Sequence, residues 1–398
     1  MPLSFARMAI VLGLLSAVGP FAIDMYMPAM PTIAADLGTS TAATQMTLTV
    51  FFMAFGICQL IYGPVSDMIG RKKPLYFGLA VFMAGSLGCA LAPDIDMLIA
   101  FRVVQGIGAS SVMVIPRAII RDLHTGVEAA RLMSLVMLVF SVSPILAPLA
   151  GSALIVPFGW RAVFVAVSAT TLLSLALTAF VLPETRPPEE RVRVSFGAVF
   201  GGFALLLRDA RFMGLTFIGG LGMCSFFAFL ASSPFVYMDH FGLTPMQYSV
   251  AFSVNAVSFI GASQLSGKLG ARFGLSRVVV AAVAAYTLFA CILFVITALG
   301  SDSLPVLIAL LMATFAFLGL VIPSTMVLSL DDHGPIAGMA SALGGTLQMV
   351  TGGAMIAVVS LFFDGTAIPM VSVIAACAVG ATVLAFLTLS RSRAPHAA

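Results

Sequence analysis

The sequence predicts an all-α polytopic membrane protein, with twelve transmembrane helices in two pseudo-symmetric six-helix bundles. Three observations lead there. The 398 residues are 61% hydrophobic and 9% charged, whereas a soluble domain is about 45–50% apolar and about 25% charged. Apolar runs of about 18–25 residues, each long enough to cross a bilayer, follow one another along the chain. The third is an echo. GPVSDMIGRKKPL at 63–75 returns in weaker form as GKLGARFGLSRVV at 267–279. Gly63 matches Gly267, Gly70 matches Gly274 and Lys73 matches Arg277, each 204 residues on. An echo at that interval means two large, similar halves. In a membrane protein two such halves are the usual build of a secondary transporter.

The apolar runs fall near 8–31, 44–66, 75–93, 97–119, 133–156 and 161–182. After a polar stretch come runs near 212–235, 246–268, 277–299, 304–328, 337–361 and 367–390. All are too long and too Gly-rich for strands, so helices are expected. The first run continues past Asp24 without a small-residue cleavage site and does not read as a signal peptide. Thr41, and Thr244 or Pro245, stand where the second and eighth helices should start, as caps or first-turn residues. The expected organisation is an N-terminal bundle at 1–186, a cytoplasmic linker at 187–211 and a C-terminal bundle at 212–398. Pro187-Pro188 and mixed charges mark the linker. The apolar, Gly-rich stretch 196–207 is expected to lie along the membrane surface. The repeat also pairs VMVIPRAIIRDL (112–123) with GLVIPSTMVLSL (319–330), and Gly38 with Gly242.

Cations in short loops set the orientation. Arg7, Arg71, Lys72, Lys73, Arg117, Arg121, Arg131, Arg186, Arg191, Arg193, Arg208, Arg211, Lys268, Arg272, Arg277, Arg391 and Arg393 all fall on one side of an alternating topology. The opposite loops carry Asp36, Asp94, Asp96, Asp239, Asp302 and Asp364. Both termini are therefore expected in the cytoplasm. The net charge of +3 forms no groove-sized basic patch, so no nucleic-acid partner is expected. Cys58, Cys89, Cys224, Cys291 and Cys377 stand singly in apolar runs and read as core filler. No paired catalytic carboxylates, metal cluster, nucleophile elbow or phosphate loop is present in the sequence.

Two charged residues stand deep inside runs. Asp24 lies about 25 Å along a helix from Arg7, at 1.5 Å per residue. An intramembrane acid is a functional hypothesis by default, and apolar surroundings favour its neutral form. Pro28 has no N–H for the Asp24 carbonyl, so a kink or a free acceptor is expected beside the carboxylate. Arg102 is the matching cation. It shares a helix face with Gln105, Ala109, Met113 and Pro116 through three- and four-residue steps. Asp24 maps onto Ala228 in the second half, so coupling is expected in the first half alone. His333 reads as a solvated loop residue.

Three motifs, taken together, carry a resemblance over nearly the whole chain. The loop with Gly63, Asp67, Gly70, Arg71 and Lys72 is the first, with Met68 where a basic residue is commoner. LIAFRVVQGIGAS at 98–110 is the second, with Arg102, Gln105, Gly106 and Gly108. SPILAPLAGS at 143–152 is the third, with Ala147-Pro148 for the usual Gly-Pro and Gly151-Ser152 for Gly-Gly. DMYMPAMP, FGWRAVF and SSPFVYM add to them. The chain resembles the major facilitator superfamily, in particular its twelve-span drug:proton antiporters of the Bcr/CflA type, the bicyclomycin and chloramphenicol/florfenicol resistance branch.

The resemblance implies a central cavity lined by the first, fourth, seventh and tenth helices. Arg102 would then face Asp24 and the two would carry proton coupling. Tyr26, Gln105, Met113, Phe226, Phe229, Asn255 and Gln348 are the expected cavity residues. Asp67, Arg71 and Asp122 form the expected cytoplasmic gate, with Arg71 pairing Asp122 and Asp67 facing the start of the eleventh helix near Gly334. Pro144, Pro148 and Gly151 belong to the motif that the family assigns to antiport, read here equally as a hinge or as a tight contact. The expected function is drug export from a bacterial inner membrane by a monomer in lipid, driven by the proton gradient and needing no cofactor. Proton-coupled transport of a metabolite such as a nucleoside or cysteine is the alternative in the same fold. A membrane enzyme or receptor is the alternative outside it.

Overall fold

The computed structural model describes residues 5–191 and 196–389. Arg193, Arg391 and Arg393 lie outside the described residues. Within them the regular structure is helical, with no strand, and eleven segments are long and apolar enough to cross a membrane. The first combines α1 (Phe5–Asp24) and α2 (Met30–Asp36). Next come α3 (Thr41–Ile69), α4 (Lys72–Leu91), α5 (Ile95–Leu123), α6 (Gly126–Phe158) and α7 (Arg161–Phe180). The shorter α8 (Phe196–Arg208) leads into α9 (Ala210–Phe235).

The eighth expected span departs from the sequence reading. It is α10 (Pro245–Ser263), which falls short of the apolarity of the other eleven. A turn then separates it from α11 (Ser266–Phe273). Gln247, Ser249, Ser253, Asn255 and Ser258 dilute its apolar surface. At the turn, the Ser266 hydroxyl donates to the Ser263 carbonyl (2.7 Å), a local bond that competes with helix continuation. The remaining spans are α12 (Leu275–Ala298), α13 (Leu304–Asp331), α14 (Ala337–Phe362) and α15 (Ile368–Leu389).

Helix starts follow local chemistry. Ser40 caps α3, its hydroxyl accepting from the Ala43 N–H at 3.2 Å, with Thr41 as the first helical residue. At α10, the Gln247 N–H donates to Thr244 Oγ1 (3.3 Å) and the Thr244 N–H to Gln247 Oε1 (2.9 Å), a capping box. The sequence repeat reappears in the backbone. Gly70 and Gly274, which end α3 and α11, have φ +94° and +85°, and Gly38 and Gly242 have +58° and +70°. Glycine alone enters that region without a Cβ penalty.

Two compact units divide the chain. The first holds Met1–Ser195 with Thr244–Val250, and the second Phe196–Leu243 with Ala251–Ala398. In the first, α1 packs on α5, α6 and α7, while α4 packs on α5 and α7. The second repeats those neighbours: α9 packs on α13, α14 and α15, while α12 packs on α13 and α15. α8 belongs to the second unit. It buries Leu206 with Phe212, Ala340 and Leu343 and leaves Phe200, Leu205 and Leu207 exposed.

Candidate functional site

Asp24 ends α1, and the chain breaks there as Pro28 predicts. A turn at Met25 and Tyr26 leads into a 3-10 turn over Met27–Ala29, before Pro31 opens α2. The break lies inside the unit. Residues from Asp24 to Met30 are all buried, Asp24 being 7% exposed. α6 supports it through small residues four apart, Ser143, Ala147 and Gly151, which share one helix face. The Ser143 hydroxyl donates to Asp24 Oδ2 at 3.4 Å. At Gly151 an added Cβ would stand 2.3 Å from the Met25 carbonyl oxygen, so only glycine lets α6 come this close. Chemically the pair is reversible. An ionised Asp24 accepts from Ser143, and a protonated Asp24 has an O–H of its own to donate.

Arg102, expected to face Asp24, is fully buried. No nitrogen of Arg102 comes within 4.0 Å of the carboxylate. Its Nη1 instead donates to Gln105 Oε1 (2.5 Å) and to the Ala22 carbonyl (3.5 Å). The guanidinium lies 4.6 Å from the Tyr26 ring centre and 4.4 Å from that of Phe51. Two π faces and a backbone carbonyl near the end of α1 thus surround the charge. Gln105 is fixed in turn by donating to Ser86 Oγ (2.8 Å). Since the Thr47 hydroxyl donates to the Thr44 carbonyl (2.6 Å), the Tyr26 hydroxyl donates to Thr47 at 2.7 Å. Arg102 Nε and Nη2 have no hydrogen-bond partner.

The other face of the 143–152 segment is also engaged within the first unit. Ser249 Oγ donates to the Pro148 carbonyl (2.9 Å), and Ser152 Oγ meets Ser249 Oγ (2.7 Å) and the Pro245 carbonyl (2.8 Å). Pro144 lies one residue beyond Ser143 on the same helix.

The 63–75 loop gathers the expected pair and more. Arg71 is 3% exposed and grips Asp122 with two donors, Nε at 2.7 Å and Nη2 at 3.1 Å. Its Nη1 reaches Ser66 Oγ (2.6 Å) and Asp67 (2.8 Å). Burial works against this charge, but the Asp122 hydrogen bonds and the nearby Asp67 outweigh it and hold Arg71 above the usual guanidinium value. Sequence reasoning missed the end of the first bundle. Arg186 lies 3.5 Å from Asp67 and 3.6 Å from Asp122, and Thr185 donates to Asp122 (3.1 Å). Glu184 accepts the backbone N–H groups of Arg71 (2.8 Å) and Lys72 (3.1 Å), placing its charge at the start of α4. The signal was the acid-hydroxyl-cation run Glu184-Thr185-Arg186. At the far end of α4, Arg161 and Trp160 of the FGWRAVF motif both donate to Asp36, at 2.9 and 2.8 Å, and Arg161 also donates to the Ala92 carbonyl (3.2 Å).

The expected cavity residues divide between the units. Tyr26 and Gln105 belong to the Arg102 cage, and Met113 accepts from Arg117 through its sulfur (3.5 Å). In the second unit Phe226 and Phe229 join one aromatic cluster through Phe315, with Phe259 stacked on Phe226 and Phe252 on Phe229. Asn255 is buried and donates to the Ala251 carbonyl (3.1 Å). Gln348 stands beside Gly219, where an added Cβ would be 2.9 Å from its Nε2. His333 is not solvated as expected. It is 7% exposed, bonded to Asp209 at 3.1 Å and set edge-on to Phe212, because Asp209 caps α9 beside it.

Comparison with known proteins adds the following. The family model described as Major Facilitator Superfamily matches residues 12–357. An uncharacterized MFS-type transporter, YdgK, of Bacillus subtilis (strain 168) is 36% identical over 388 residues, covering 97% of this chain and 96% of the relative. A bicyclomycin resistance protein homolog of Haemophilus influenzae (strain ATCC 51907 / DSM 11121 / KW20 / Rd) is 30% identical over 384 residues, covering 96% of each. Among solved structures, a bacterial homolog of the human lysosomal transporter Spinster, crystallised in an inward-facing and occupied conformation, aligns with TM-score 0.74 at 16% identity over 97% of each chain.

Proposed function

The chain belongs to the major facilitator superfamily, and from that premise we propose that it is a proton-coupled exporter of small, largely apolar drugs, with Asp24 as the coupling acid. Phenicols and bicyclomycin are the first substrates to test. The observation that carries the reading is Asp24 itself. It is a buried carboxylate at a break in a membrane-length helix, held by a hydroxyl and by no ion pair within 4.0 Å. Ser143 can receive or return its hydrogen bond as the proton comes and goes. The break beside it is a joint about which the two parts of the first span can reorient. Arg102, caged by Tyr26, Phe51 and Gln105, supplies a fixed positive potential rather than a counter-ion.

The cycle is alternating access between the two units. A proton taken up outside is released inside as drug binds, and the Arg71–Asp122–Arg186 cluster latches the loop between α3 and α4. The protein sits in a bacterial inner membrane as a monomer, with the 187–211 linker and both termini in the cytoplasm. The proton gradient supplies the energy and no cofactor is needed. A metabolite symporter would use the same acid, but the resistance name of a relative at 30% identity favours export. The test is drug binding against pH in purified wild type and Asp24→Asn, with transport in sealed vesicles. Asp24→Asn should bind a neutral drug without pH dependence and fail to concentrate it. Equal pH dependence in both proteins, or accumulation by the variant, sinks the assignment.

A further inference from the structure

The second unit carries an open groove of about 710 Å³ between the first two turns of α9 and the last two turns of α15. Met213, Phe217, Leu384 and Leu387 give it apolar walls, and Arg211 and Thr388 are polar residues of its lining. From Arg211 to Phe217 the wall runs about 9 Å along the helix axis. Both helices are long and apolar enough to cross a membrane, and the groove uses only their ends, so its polar end lies at headgroup level. There Arg211 Nη1 faces Asp332 Oδ2 at 3.2 Å, and the two side chains are 43% and 52% exposed. Arg211 therefore keeps donors free of the pair, and Asp332 keeps acceptor capacity. The neighbouring Asp209 is committed elsewhere, to the Arg211 and Phe212 N–H groups and to His333.

A phosphate is what a guanidinium binds in two-donor fashion. A lone anion here would meet Asp332 and Asp209, with the exposed Asp331 close by in sequence. A headgroup bearing both a phosphate and an ammonium satisfies both members of the pair, phosphate to Arg211 and N–H donors to Asp332. We propose that this groove is a binding site for an amino-phospholipid, with one acyl chain against Met213, Phe217, Leu384 and Leu387 and its headgroup on Arg211 and Asp332. The volume falls within the range of about 300–1,000 Å³ usual for ligand pockets. A choline headgroup has no N–H for Asp332 and a glycerol headgroup has no cation, so ethanolamine is selected over both.

The experiment uses the full chain in nanodiscs of phosphatidylcholine alone, or with an equal added fraction of phosphatidylethanolamine or phosphatidylglycerol. Native mass spectrometry reads the lipid retained, and the thermal midpoint reads its effect. Phosphatidylethanolamine should be retained over the other two and raise the midpoint. Arg211→Ala and Leu387→Trp, which fills the groove, should each remove that retention. Asp332→Asn, nearly isosteric, should lower the preference over phosphatidylglycerol about tenfold, the equivalent of about 1.4 kcal/mol, while still retaining phospholipid. That retention separates lost recognition from misfolding. Equal retention of all three lipids, or a preference that survives Arg211→Ala and Leu387→Trp, overturns the site. Preferential retention of phosphatidylglycerol overturns the amino-lipid assignment. If the intact chain retains none and removal of residues 390–398 restores binding, the groove belongs to the chain's own end and the proposal fails.

Discussion

Gly151→Ala is the smallest change that tests how α6 governs the break in α1. The added Cβ would stand 2.3 Å from the Met25 carbonyl oxygen and 3.0 Å from the Met25 carbonyl carbon, and ordinary contact begins near 3.4 Å. A backbone oxygen cannot rotate aside, so α6 and the break must part by about 1 Å, a strain of about 1–3 kcal/mol. The Ser143–Asp24 hydrogen bond is already 3.4 Å long. Any share of that movement at Ser143, two turns away on the same face, takes the bond beyond reach. The expected outcome is an inserted protein with a lower thermal midpoint that still binds drug. Its proton-driven uptake into inside-out vesicles should fall about tenfold, for about 1.4 kcal/mol of lost positioning. The midpoint and the uptake are measured on one preparation, beside Ser143→Ala, which removes the bond without strain. If Gly151→Ala matches wild type in both readings, α6 does not hold the break and the reasoning fails.

The remaining predictions concern the charged groups. Asp122→Asn, at 13% exposure under two donors of Arg71, should cost about 3 kcal/mol in thermal unfolding because it leaves a buried cation short of its partner. Asp67→Asn, at 39% exposure, should cost less than about 1 kcal/mol and yet slow transport; a well-expressed variant with normal transport removes the latch. Arg102→Lys loses the planar contact with two rings, each worth about 0.5–2 kcal/mol, and should destabilise by about 1–4 kcal/mol; a lysine variant as stable as wild type contradicts the cage. A cysteine placed at position 190 should escape an impermeant reagent added to intact cells, and strong labelling there would reverse the orientation.

The sequence made the helices legible because span length and apolarity are local properties. It failed at α10, where scattered serines and a local Ser266–Ser263 bond end the helix sooner than the apolar run suggests. Arg71 with Asp122 was foreseeable from the motif, but Glu184 and Arg186 were not, since they lie more than a hundred residues from the loop they stabilise. The same distance hid Ser143, which meets Asp24 across 119 residues. Its spacing to Ala147 and Gly151 was readable as a small-residue face; the helix that face receives was not. The surroundings of Arg102 were not legible either. Tyr26 and Phe51 meet the guanidinium through their π faces, which no charge pattern records.

The cage around Arg102 has an electrical consequence. Its charge rests on rings, an amide and a backbone carbonyl, so it persists whatever the state of Asp24. With Asp24 ionised the two residues sum to zero, and with Asp24 protonated they carry one net positive charge. A carrier that moves protonated in one direction and ionised in the other exposes that charge to the membrane voltage on one limb only. Each elementary charge is worth about 2.3 kcal/mol per 100 mV, reduced by whatever fraction of the field the residues traverse. An interior-negative voltage therefore speeds the protonated limb inward even where no pH difference exists. Export at matched pH should then rise when a potassium diffusion potential is imposed and vanish when it is collapsed.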